Sequence, residues 1–207
     1  MDPYPVTREA YWDFVASRYV TLTDKTHTWD MTDQAAVCSL NTEIGFPSGD
    51  GESVGLPFQY RAATGLDWCD AYLYCKSAGK RMCGRIGGGS TPYSAFGGEA
   101  SILAGVDQWV QVCTSNAAYP YATGTNFSPD MCVNGLAYPD TTCHSPNDPW
   151  SAVHWMHAFN EWTDSCDGGE CVMHPRLTDT ASNCVKGTLL HAPHNAALGS
   201  IRCCSDP

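Results

Sequence analysis

The sequence predicts a single loop-rich domain, residues 1–207, that mixes a few helices with short strands. Two observations carry that prediction. Three segments carry an apolar stripe at helical spacing, two of them directly behind a helix-capping residue, while most of the remaining chain lacks periodicity. Twelve cysteines are scattered over 207 residues, about 6% of the chain and well above ordinary usage. At this length a sizeable core can form, and neither a repeat nor a linker interrupts the chain.

The first helix starts after Thr7, a good N-cap, with Glu9 in its first turn. Tyr11, Phe14 and Val15 share one face, and Arg18 suits the helix end. The second begins at Asp67 with Asp70 three residues on, and Ala71, Tyr74, Cys75 and Ala78 follow the helical template. Gly79 is its expected stop, and Lys76, Lys80 and Arg81 suit a helix C-terminus. The third covers roughly Asp107 to Ser115, with Trp109, Val112 and Cys113 inward. Strands are short: Trp155 to Thr163, Cys184 to Leu190 and Ser200 to Cys204. Residues 84–105 hold seven glycines and read as an irregular insertion, and residues 116–150 are rich in Pro, Asn, Asp, Gly and Tyr. Such stretches need staples, for which Cys113, Cys132 and Cys143 are candidates.

Composition narrows the function classes. Eleven basic against 22 acidic residues give a net charge of −11, which repels phosphate backbones, so no nucleic-acid partner is expected. No apolar run approaches the roughly 18 residues of a membrane span, so no membrane insertion is expected. An even cysteine count suits disulfides and an oxidising compartment: secreted, periplasmic or cell surface. Met1-Asp2-Pro3 lacks the charged start and apolar stretch of a leader, so an exported protein would already have lost one. Buried free thiols in a cytosolic protein are the alternative. Zinc-type thiolate sites fit poorly, because the chain has no C-x-x-C pair; its closest spacings are Cys166/Cys171, Cys69/Cys75 and Cys203-Cys204.

The segment Asp67-Trp68-Cys69-Asp70-Ala71-Tyr72-Leu73-Tyr74-Cys75-Lys76-Ser77-Ala78-Gly79-Lys80-Arg81-Met82 resembles "SWEDAxAYCxWAGKRL" of the formylglycine-generating enzyme (sulfatase-modifying factor) family. Other landmarks follow in the family's order. Val6-Thr7 with Tyr11 and Phe14 resembles its opening helix, and Trp109 falls where its "EWEYA" helix lies. Tyr119-Pro120-Tyr121 is similar to "YPWG", Asn160-Glu161-Trp162-Thr163 to the end of "GNVWEWT", and Gly199-Ser200-Ile201-Arg202-Cys203 to "GFRC". The resemblance implies an α+β, C-type-lectin-like fold, with a short twisted antiparallel sheet flanked by two to three helices.

The departures bear on activity. The family's enzymes carry "RGGS" and then two cysteines that bind copper and activate oxygen. The corresponding stretch here, Val172-Met173-His174-Pro175-Arg176-Leu177-Thr178-Asp179, has neither feature, and only Cys184 lies between it and Cys203-Cys204. Copper(I) calls for paired soft ligands, which one isolated cysteine does not supply. The family's calcium-ligand asparagine falls on Ala158, and its first Trp on Asn160. Residues 151–200 thus keep scaffold points but not the positions between them. That distribution is similar to the variable proteins of diversity-generating retroelements; ordinary divergence of a loop region is the alternative.

Five of the seven histidines lie in residues 154–194, two pairs of them with H-x-x-H spacing: His154/His157 and His191/His194. If the loops converge, His174, His191 and His194 could hold Zn, Cu or Fe. Alternatively the histidines join aromatic residues in a recognition surface. Its candidates are Trp150, His154, His157, Phe159, His174, Arg176, His191 and His194, facing a protein or glycan ligand. Trp162 reads as core and Trp150 as exposed. Structural calcium is a further expectation, with Asp164, Asp167, Glu170, Asp179, Asp130, Asn134 and Asp140 as possible donors. Gly84–Ser90 lacks the Lys-Ser/Thr of a phosphate loop, and no nucleophile-elbow pattern is present. Asn126-Phe127-Ser128 is a glycosylation sequon. The expected function is an exported, disulfide-stabilised ligand-binding module. The alternatives are a diverged metal-dependent oxidase or oxygenase and an interaction subunit of a surface assembly.

Overall fold

A computed structural model describes residues 1–2, 4–47, 61–97, 103–121, 125–126, 159–167, 169–175, 183–185, 189–191, 193–194 and 199–205. Among them it is mixed α+β, with three α-helices and small, mostly antiparallel sheets. Helix α1 is Arg8–Arg18, capped by the Thr7 hydroxyl, which accepts from the Ala10 N–H at 3.3 Å. Tyr11, Phe14 and Val15 are buried, as their spacing predicts. Helix α2 is Trp68–Ser77, where the Asp67 carboxylate accepts from the Asp70 N–H at 2.8 Å. Its stop is Gly79 at φ +70°, a left-handed conformation that costs other residues far more than glycine. Ala78, expected inward, is exposed because the helix has ended there, and Leu73 is buried in the core. Helix α3 is Gln108–Cys113, capped by Asp107; Trp109, Val110 and Cys113 are buried, and Val112 only half so.

The hairpin β1 (Tyr19–Thr21) and β2 (His27–Trp29) follows α1 directly. Strand β3 (Arg81–Met82) pairs with β8 (Cys203–Cys204). The largest sheet has the order β6-β5-β4-β7, from β4 (Asn160–Asp167), β5 (Glu170–His174), β6 (Leu189–His191) and β7 (Gly199–Ser200). β7 runs parallel to β4, and the other pairings are antiparallel. The strand expected from Ser200 to Cys204 is therefore two strands in two sheets, with Ile201-Arg202 crossing between them. The strand expected to end at Thr163 continues to Asp167.

Five disulfides join all ten described cysteines: Cys38–Cys69, Cys75–Cys203, Cys83–Cys204, Cys113–Cys184 and Cys166–Cys171. Cys132 and Cys143 lie outside the described residues. Two core clusters form. One packs α1 and α2 against Trp162, Met173 and Ile201. The other gathers Leu103, Trp109, Val110, Cys113 and Cys184. No helix among the described residues is long and apolar enough to cross a membrane.

Candidate functional site

The last fifty residues are fixed at a few points by a buried polar network. Glu161 on β4 and Arg202 are both fully buried. The guanidinium grips the carboxylate with two of its three nitrogens, Nη2 to Oε1 at 2.7 Å and Nε to Oε2 at 3.0 Å. The indole N–H of Trp109 donates to Glu161 Oε2 at 2.6 Å, and Arg202 Nη1 donates to the Asp2 carbonyl at 3.1 Å. A buried ion pair repays its desolvation only when its geometry is good and its other sites are filled, and here both oxygens have donors. Nearby, the Trp162 indole donates to the Leu66 carbonyl at 2.8 Å, and Gly199 packs so close to that ring that a Cβ would overlap it. The sequence expectation that Trp162 is core holds, at 1% exposure.

His174, at the end of β5, is corrected. Expected on an exposed ligand face, it is 2% exposed. Its ring stacks on Trp109, with centroids 3.8 Å apart and planes within 5°. Its Nε2 has no hydrogen-bond partner and faces Asp107 Oδ1 at 3.8 Å. Burial holds its pKa down at about 3, so the ring is neutral at ordinary pH. Asp107 accepts from the Thr91 hydroxyl at 2.6 Å and the Val110 N–H at 2.9 Å. Burial nevertheless pushes its pKa up to about 6, with those hydrogen bonds opposing. This pair is a residue-level feature that the sequence reading missed. Asp107 is legible in sequence as the start of a helix, but its histidine neighbour arrives only through the sheet.

The other candidates fall in different places. Trp150, His154, His157 and Arg176 lie outside the described residues. Phe159 is half-buried just ahead of β4. His191 belongs to β6, where its backbone pairs with Cys171, three residues along β5 from His174. That offset separates the two backbones by about 10 Å along the strands, so the register does not bring them together. His194 is exposed and follows Pro193, whose carbonyl accepts the Cys69 N–H at 3.2 Å. His194 therefore sits beside the N-terminus of α2. There burial raises the Asp67 carboxyl and His194 opposes the shift. Asp70 is also raised well above the usual range, first by burial and then by the charge of Asp67.

Of the acidic residues named as calcium donors, Asp164 accepts from the Ser90 hydroxyl at 2.8 Å and Glu170 from the Tyr93 hydroxyl at 3.2 Å. Asp167 is exposed at the tip of the β4–β5 hairpin; Asp130, Asn134, Asp140 and Asp179 lie outside the described residues. Among the described residues, no three His, Cys, Asp or Glu side chains converge on a metal position. The sulfurs of Cys166, Cys171, Cys184, Cys203 and Cys204 are all committed to disulfides and are not available as thiolates. Chemically, the described residues form a cross-linked frame with a sealed polar centre, and His194 is exposed at the margin of its C-terminal part. No protein-family model and no curated protein matches the chain.

Proposed function

We propose that this chain is an exported binding module, built as a C-type-lectin-like domain of the formylglycine-enzyme type, whose ligand face is drawn from residues 150–200. One observation supports the scaffold above the others. Trp109, Glu161 and Arg202 come from three separate sequence landmarks of that family, and they meet in one buried network. The landmark residues Tyr11, Trp68, Cys75 and Trp162 are buried as well. Positions that resemble the family thus serve as frame, which leaves the intervening positions free to differ.

The binding reading follows from how that frame is held. Disulfides at Cys166–Cys171, Cys113–Cys184 and Cys75–Cys203 pin the C-terminal region at intervals, so a face built between the pins loses little entropy on capturing a ligand. The face comprises Trp150, His154, His157, Phe159, Arg176, His191 and His194, with His174 withdrawn into the core. Its ligand is a protein or a glycan. The disulfides fit a secreted, periplasmic or cell-surface setting.

The test is metal analysis of the purified, unreduced protein together with binding to glycan and protein arrays. We expect no stoichiometric transition metal. Array binding should fall at least about tenfold in Trp150→Ala with His194→Ala, at unchanged melting temperature. Bound Zn, Cu or Fe that is lost in His191→Ala would instead establish the metal-dependent oxidase reading. The same measurement reads calcium, which the family resemblance implies as a structural ion.

A further inference from the structure

The first quarter of the chain carries a second surface that the C-terminal face does not use. Five aromatic rings form a continuous run across α1, the β1–β2 hairpin and the segment after it. Trp12 lies 5.1 Å from Phe46, Phe46 lies 5.9 Å from Trp29, and Trp29 lies 5.1 Å from Tyr19, centroid to centroid. His27 closes the run, stacked on Tyr19 at 4.7 Å. Trp12, Tyr19 and Phe46 are 40%, 48% and 50% exposed. Rings held by their neighbours yet open to water form a ready-made contact area, and a patch of this kind on a folded domain marks an interaction site.

The charge around the rings selects the partner. Glu9 lies one helical turn before Trp12, Asp13 follows it, and Glu43 precedes Phe46 by three residues; all three are exposed. Asp24 and Asp33 are exposed in the same stretch. Against these, Arg18 is already engaged by Asp30 at 3.4 Å, and Arg8 is buried, which leaves Lys25 as the exposed cation of residues 8–46. An aromatic surface with a carboxylate rim attracts cations through both the ring quadrupoles and the ionic field. The fold uses the same contact internally, with Arg18 5.8 Å from the Phe14 centroid and Lys76 5.8 Å from that of Tyr72. A second copy of the chain brings the same acidic rim and a net charge of −11, so self-docking here sets like charges together.

We propose that the Trp12–Phe46–Trp29–Tyr19 surface docks a basic, Lys/Arg-rich peptide segment of a partner protein. The test is calorimetric titration of the folded, unreduced chain with nona-arginine. Trp12→Ala with Phe46→Ala leaves the charge unchanged and should weaken binding about tenfold. Trp12→Leu with Phe46→Leu keeps the apolar bulk should the alanine pair unfold, and it should weaken binding too. Glu9→Gln with Asp13→Asn should also weaken it, whereas Asp167→Asn with Glu170→Gln, equal in charge but remote in sequence, should not. Equal weakening by both charge pairs with no effect of the aromatic pairs would reduce the attraction to net charge and overturn the proposal. So would failure to bind nona-arginine, whether the same rings instead capture chitohexaose or mediate a dimer seen by sedimentation.

Discussion

At the scale of single residues, the pair Asp107 and His174 gives the fold an unusual acid response. Asp107 has its folded pKa raised to about 6, so between about pH 4 and 6 the folded state holds the extra proton and stability falls as pH rises. His174 has its folded pKa lowered to about 3, so between about pH 3 and 6.5 the unfolded state holds the extra proton and stability rises with pH. The two oppose each other over about pH 4–6, and below about pH 4 only the histidine acts. His174→Phe keeps an aromatic ring on Trp109 and removes the titrating group. Its stability relative to wild type should therefore improve as pH falls from about 6.5 towards 3, measured by urea denaturation across that range. A difference independent of pH would mean that His174 titrates normally. None of this was legible from the chain alone: a histidine in Met173-His174-Pro175 reads equally well as surface or core, and only the packing of β5 on Trp109 decides.

At the scale of elements, local signals were legible and sheet partners were not. Thr7 and Asp67 announce their helices because an N-cap satisfies amides within its own turn. Strand β5 went unread because Cys171, Val172, Met173 and His174 are consecutively buried, which erases the alternation that marks a half-exposed strand. The β1–β2 hairpin went unread for the opposite reason: all but Trp29 of its six strand residues are exposed, so no apolar face marks it. The short β7 depends on close approach. Its Gly199 lies against the Trp162 indole while its carbonyl accepts the Leu66 N–H at 3.3 Å. Gly199→Ala should therefore displace either the ring or the strand and cost about 1–3 kcal/mol, read as a lower urea midpoint with unchanged slope. A change within about 0.5 kcal/mol would show that the strand has room to move.

At the scale of the whole molecule, the cysteine count foretold a cross-linked frame but not its wiring. The pairing of Cys113 stays open in the sequence, and the structure joins it to Cys184, 71 residues away. The bridges Cys75–Cys203 and Cys83–Cys204 span 128 and 121 residues and close nearly the same loop. Each therefore covers for the other. By chain-entropy reasoning, loss of either alone should cost about 2–3 kcal/mol, and loss of both distinctly more than the sum, about 7 kcal/mol. Guanidinium denaturation of the single and double Cys→Ala pairs checks this, and simple additivity would contradict it. The candidate site was only partly legible, since burial of His174 and exposure of His194 are consequences of tertiary packing.

The adjacent sulfurs at Cys203 and Cys204 also set a schedule for biogenesis. α2 and β3 are synthesised more than a hundred residues before the partners that clamp them, so the first clasp waits for residue 203 and the second for residue 204. Until then Cys38 and Cys69 are the partners at hand for Cys75 and Cys83, and any bridge made among these four other than Cys38–Cys69 has to be exchanged before the native set is complete.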